Sequence, residues 1–137
     1  MSDVPQLLHT VLDARDVRAE AEFWRQYLDL RYRPGDELPD GDAEDDADWL
    51  VLTRADGTRV IAVQEADELV ATTWPSPEVP MQLHLDLTLP DRDALERHRA
   101  RALELGATTV LDRSDDEDEP LYVLADPAGH PFCIFVG

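Results

Sequence analysis

The chain has 137 residues, the size of one ordinary domain, and 43% of them are hydrophobic, enough for a core that needs no metal or disulfide to hold it. Its net charge is −19, from 31 acidic residues against 12 Lys plus Arg. That balance argues against a nucleic-acid partner, which needs a basic footprint, and against an anionic membrane surface; it reads first as charge that keeps the protein soluble, and it would also attract a cationic ligand or partner.

No apolar run is long enough to span a bilayer, and Met1–Gln6 lacks the basic and apolar parts of a secretion signal. The lone cysteine, Cys133, has no internal disulfide partner. The expectation is a soluble protein of the reducing cytoplasm.

From the N-terminus, Leu8–Asp13 reads as a strand, followed by Asp16 as the N-cap of a helix over Val17–Leu28. Val17, Ala21, Trp24 and Leu28 share one face of that helix. The helix closes at Leu28-Asp29-Leu30, where Asp tolerates a left-handed cap. Three strands follow, at Leu30–Arg33, Trp49–Thr53 and Arg59–Glu65. The last two are joined by the turn Ala55-Asp56-Gly57-Thr58.

The same order then repeats. Residues 66–80, with Pro75, Pro77 and Pro80, read as a linker between a first module at 1–65 and a second at 81–137. Leu83–Leu89 reads as a strand, and Asp91 caps a helix over Arg92–Leu105. That helix buries Leu95, Ala102 and Leu105 and stops at Gly106. Strands follow at Thr108–Leu111, Leu121–Ala125 and Phe132–Val136, the last two joined by Asp126-Pro127-Ala128-Gly129. His84 precedes Asp91 by the same interval that separates His9 from Asp16, the signature of an internal repeat. Two acidic runs, Asp36–Asp48 and Asp112–Glu119, fall at matching places and read as solvated loops.

Alternation assigns the strand faces. Leu83, Leu85, Leu87 and Leu89 oppose Gln82, His84, Asp86 and Thr88; Leu8, Thr10 and Leu12 oppose His9, Val11 and Asp13; Phe132, Ile134 and Val136 oppose Cys133 and Phe135. If the leucine side carries the helices, the other side is polar and concave. His9 and His84, at equivalent places of the repeat, then face a shared site. Asp13 and Asp86 lie on the same side, suited to act as a general base or to orient an imidazole. Trp24 belongs to the helix stripe; Trp49 at a strand start and Trp74 in the linker read first as packing residues, with lining of a ligand site by Trp49 and cover of the cup or a partner surface by Trp74 as the alternative.

These residues carry a family resemblance. His9, Asp16 and Phe23-Trp24 open one module, His84 and Asp91 open the next, and Asp126-Pro127-Ala128-Gly129-His130-Pro131-Phe132-Cys133 closes the chain. The pattern resembles the vicinal oxygen chelate superfamily of glyoxalases, ring-cleaving dioxygenases and bleomycin-resistance proteins, most nearly its glyoxalase-like actinobacterial branch. The resemblance implies an α+β fold of two βαβββ modules, their sheets curved into a cup with the helices outside.

It also implies a divalent metal held by residues of the first and last strands of each module. Carried onto this chain, those positions are His9, His84 and Cys133, a reasonable ligand set for Zn with an open coordination position. The corresponding last-strand position of the first module falls on Ile61, which cannot ligate; a one-residue bulge would bring Gln64 inward instead. Because the usual carboxylates are missing, the leading expectation is a small-molecule-binding protein without an intact metal centre. It would use His9, His84, Gln82, Trp49, Phe135 and Gln64 against the ligand. The alternatives are a metal-dependent lyase, isomerase or dioxygenase in which Asp86 or Asp13 moves protons, and a non-catalytic partner-binding module. A homodimer is expected because short sheets leave edges to cover.

Overall fold

A computed structural model describes residues 3–137. The fold is α+β, with two four-stranded mixed sheets and two helices. The elements run β1 (Thr10–Ala14), α1 (Val17–Tyr27), β2 (Arg31–Tyr32), β3 (Trp49–Thr53), β4 (Arg59–Glu65), β5 (Leu85–Leu89), α2 (Arg92–Glu104), β6 (Thr108–Arg113), β7 (Leu121–Ala125) and β8 (Pro131–Val136). The chain divides into two compact units, Met1–Asp67 and Glu68–Gly137. Among the described residues no helix is long and apolar enough to cross a membrane.

In the first unit the sheet order is β1-β4-β3-β2. β1 runs parallel to β4, and the remaining pairs are antiparallel. Asp16 accepts a hydrogen bond from the Ala19 amide at 3.0 Å and so starts α1, a cap that stabilises by about 1 kcal/mol. At the other end Asp29 adopts φ 53°, and the Leu30 amide bonds back to the Arg25 carbonyl at 2.8 Å. The helix lays Val17, Ala21 and Trp24 on the sheet together with Leu12, Leu50 and Val63, all buried. Tyr32 joins β2 to the helix: its hydroxyl donates to Glu22 at 2.6 Å, and Arg18 lies 4.9 Å above its ring.

The second unit repeats the plan in the order β5-β8-β7-β6, with β5 parallel to β8. Asp91 accepts from the Ala94 amide at 2.8 Å and caps α2. Gly106 at φ 118° ends the helix, and the Ala107 amide bonds to the Ala102 carbonyl at 2.9 Å. Leu95 and Ala102 of α2 are buried, as are Phe132 and Ile134 of β8, against which the helix packs.

Two expectations need correction. β1 and β5 start at Thr10 and Leu85, so Leu8 and Leu83 lie outside the strands and are 58% and 60% exposed rather than packed. Pairing begins at Thr10↔Ile61 and Leu85↔Phe132. Just before those partners stand Val60, which is bulged out of the ladder, and Pro131, which has no N–H to donate. The acidic run Asp36–Asp48 is also not wholly solvated. Arg18 binds Asp45 at 2.7 Å, and Asp36 is half-buried and accepts from the Val51 amide at 2.9 Å.

Candidate functional site

In the second unit the parallel register of β5 and β8 pairs Asp86 with Cys133 and Thr88 with Phe135. Paired residues share a face, so these four side chains stand opposite the one that meets α2. His84 immediately precedes β5, and its Nε2 lies 3.2 Å from Asp86 Oδ1. One ligand atom from each of His84, Asp86 and Cys133 falls within 4.8 Å of the others. Cys133 is half-buried, and its thiol is pushed up to about 11, first by burial and then by the charge of Asp86 and a hydrogen bond with it. Without a metal the sulfur therefore rests as the thiol at neutral pH. Gln82 is exposed and lies outside any strand.

Nitrogen, oxygen and sulfur donors this close suit a borderline metal such as Zn. The sequence placed His84 and Cys133 in such a set; Asp86, read there as a base, is the third donor that the structure brings beside them.

In the first unit the equivalent face differs. Val11 pairs with Ala62, where the second unit pairs Asp86 with Cys133. The counterpart of Cys133 is therefore Ala62 and not Ile61. The cause is a bulge: Thr53 pairs with Arg59 but Leu52 pairs with Ile61, which leaves Val60 extra. Ile61 consequently faces the helix and Gln64 the opposite side, where its amide donates to Asp13 at 2.6 Å. Ala62 has no side-chain donor atom, so among the described residues this unit offers no equivalent of the His84-Asp86-Cys133 group.

His9 stands 6.1 Å from Trp49, ring centroid to centroid. Its pKa is lowered by burial first, then by the charges of Arg59 and Arg33, and its buried Nδ1 has no hydrogen-bond partner. Trp49 and Gln64 also line an open cleft of about 490 Å³ with Asp48, Glu65 and Asp67. There Glu65 is pushed above its ordinary value by a hydrogen bond with Asp67, by the charge of Asp67 and by that of Asp48. The arginines near His9 were not singled out in the sequence. The alternation of Trp49–Thr53 that puts Thr53 on the Trp49 side was the available signal.

A family model described as "Glyoxalase-like domain" matches residues 9–135, nearly the whole chain. The chain belongs to the glyoxalase-like domain family. Solved structures share the fold of this glyoxalase-like domain at low identity. A glyoxalase/bleomycin resistance protein/dioxygenase family enzyme from Burkholderia phytofirmans is 18% identical, with 96% of this chain and 98% of that chain covered and a TM-score of 0.67. The fosfomycin resistance protein FosX from Mesorhizobium loti is 16% identical, with coverage of 98% and 93% and a TM-score of 0.65. Lactoylglutathione lyase from Agrobacterium tumefaciens is 15% identical, with coverage of 99% and 96% and a TM-score of 0.60. Comparison with curated proteins finds no match in sequence.

Proposed function

We propose that this glyoxalase-like domain binds a small organic molecule on the helix-free faces of its sheets. The observation that carries the reading is the grouping of His84, Asp86 and Cys133 on the side of β5 and β8 away from α2. A purely structural sheet has no need to gather an imidazole, a carboxylate and a thiol on one face. His9, Trp49 and Gln64 give the first unit a polar and aromatic surface of the same kind, and Phe135, beside Thr88, adds apolar area to the second. Structures of the same fold include a fosfomycin resistance protein.

A panel of metabolites and antibiotics screened by thermal shift tests this. At least one compound is expected to raise the melting temperature saturably, with the gain reduced at least tenfold in apparent affinity by Asp86→Ala. If no compound stabilises the protein, or if the variant binds as well as the parent, the reading falls.

A second reading, a metal-dependent lyase, isomerase or dioxygenase, is favoured by the same donor set. His84, Asp86 and Cys133 would hold the ion, and a divalent metal bound there supplies Lewis acidity to oxygens of a substrate. His9 was expected to complete the set with His84 and Cys133; within the first unit it keeps company with Trp49. Asp13, engaged by Gln64, would orient its amide and not act as a free base. Elemental analysis of untagged protein is expected to give about one divalent ion per chain under this reading, lost in His84→Ala and Asp86→Ala. A His9→Ala, His84→Ala double variant that keeps the same metal content would exclude this site.

The domain is further read as a homodimer, because each four-stranded sheet has short edge strands to cover. Its charge of −19 opposes association, so the dimer should strengthen as salt rises. Sedimentation showing a monomer at both low and moderate ionic strength would rule it out.

A further inference from the structure

The first unit carries a row of polar groups that the protein itself leaves unused. Register places Arg31 opposite Thr53 and Thr53 opposite Arg59, on three successive strands, β2, β3 and β4. The three side chains therefore share one face. It is the face away from α1, because Tyr32 and Leu52, the next residues along, point to the helix side, where Tyr32 meets Glu22. Directly opposed residues have Cβ atoms about 5 Å apart, so the two arginine side chains leave the sheet on either side of Thr53, their Cβ atoms about 10 Å apart.

Among the described residues, the side chains of Arg31 and Arg59 make no hydrogen bond or ion pair, although the chain has 31 acidic side chains to offer them. Nearby, Arg33 pairs with Asp36 at 3.1 Å. Thr53 is only 7% exposed, and its hydroxyl has no partner among the described residues. The buried Nδ1 of His9, one residue before the start of β1 on the same side, is likewise without a partner.

Arg31 is exposed and Arg59 half-buried, so both guanidinium groups are open to a partner from outside, while the buried Nδ1 of His9 on the same side is the group that is costly to leave unsatisfied. Guanidinium forks match planar or tetrahedral oxyanions with two parallel hydrogen bonds, and a hydroxyl between them adds a third donor. We propose that the row Arg31-Thr53-Arg59 binds the anionic group, a carboxylate or phosphoryl, of the small molecule that this domain takes. The inference rests on the proposed ligand-binding function and narrows its ligand class. It also gives the face a polarity. The arginine row lies at the Thr53 end of β3, and the acidic cleft around Asp48, Glu65 and Asp67 lies at its Trp49 end. At about 3.3 Å per residue these ends are roughly 13 Å apart, a span suited to a ligand with an anionic and a cationic end.

The test titrates the full-length protein with inorganic phosphate and, separately, with acetate, at ionic strength held constant with chloride, and follows backbone amide shifts by NMR. Saturable shifts centred on Arg31, Thr53 and Arg59 are expected from at least one anion. Phosphate alone would indicate a phosphoryl ligand, and acetate alone a carboxylate. Arg59→Gln and Arg31→Gln should each weaken binding at least tenfold, Arg59→Lys by less, and Arg54→Gln, on the exposed turn, should leave it unchanged. Shifts that grow linearly with both anions, saturable shifts centred elsewhere, or equal binding by the Arg31→Gln, Arg59→Gln double variant would overturn the proposal. The wild-type shift map decides the matter even if a variant fails to fold. An organic compound that stabilises the protein while neither anion binds would remove the arginine site and leave the broader reading standing; anion binding at the row with no organic ligand found would do the reverse.

Discussion

The two turns that lead into β4 and β8 are built alike, yet the strands after them keep different registers. In the first unit the Arg54 amide bonds to the Thr58 carbonyl and the Gly57 amide to the Arg54 carbonyl; in the second, Asp126 bonds to His130 and Gly129 to Asp126 in the same way. After the first turn Val60 is bulged out before pairing resumes, whereas β8 pairs with β7 from Pro131 without interruption. Counting from the turn glycine therefore lands on Ile61 where the ladder puts Ala62. Because strand side chains alternate with period two, an error of one residue changes the face and with it the chemistry. The result is a second unit with His84, Asp86 and Cys133 together, and a first unit with an alanine at the matching place.

Substitutions at these turns should show how differently the two are held. Gly57 and Gly129 both have positive φ, at 90° and 95°, but a Cβ on Gly57 meets nothing within 4 Å, whereas one on Gly129 would come within 2.6 Å of the Ala71 Cβ. Gly129→Ala should cost about 2–3 kcal/mol, from conformational strain plus the clash, and Gly57→Ala about 1 kcal/mol from strain alone. Urea unfolding of the two variants measures the difference. Equal losses would mean that the segment around Ala71 moves aside at no cost.

The helix caps should separate the units less. Asp16→Ala and Asp91→Ala each remove one side-chain acceptor from an amide at the helix start, so each should lose about 1 kcal/mol. A loss from one variant more than twice that from the other, in the same unfolding measurement, would show that one helix depends on its cap more than the geometry indicates.

The smallest expected effect is one of pH. Glu22 sits below its ordinary value, chiefly because Arg25 binds it, with Tyr32 of the edge strand β2 adding a hydrogen bond, whereas in the second unit the tyrosine that meets a helix glutamate is Tyr122 of the inner strand β7, bonded to Glu96. A carboxylate whose folded pKa is depressed contributes stability that is present above its unfolded pKa and lost as pH falls through the folded value. Glu22→Gln should therefore lose stability at neutral pH, and the gap to the parent should narrow as the pH falls into the acid range. Unfolding midpoints across that range check this, and a gap that stays constant with pH would discharge Glu22 from the role.

Much of the fold could be read from the sequence because its signals are local. Asp16 and Asp91 announce helix starts, and Trp49–Thr53, Arg59–Glu65 and Leu121–Ala125 carry strand composition bounded by turn residues; the structure returns those three strands with the same limits. What sequence could not supply was pairing. The leucine alternation runs on through Leu83, but a strand needs a partner to bond, and β8 offers none ahead of Pro131. The grouping of Asp86 with Cys133 likewise depends on how β5 slides along β8, which no residue in either strand encodes by itself. Alternation did place both on the polar side, so the face was legible and the contact was not. The arginine row was missed for the same reason, since Arg31, Thr53 and Arg59 come from three separate strands.

The bulge at Val60 also bears on how a doubled chain can drift apart. An extra codon inside a strand would ordinarily turn every later side chain over and ruin the core. Here the added residue is shed sideways, so Ile61 and Val63 still point to the helix just as Phe132 and Ile134 do in the sister copy. The reading frame of the sheet is thereby insulated from the length of its gene. One copy can gain or lose a residue at this hairpin while its neighbour stays fixed, leaving each free to acquire its own chemistry on the open side.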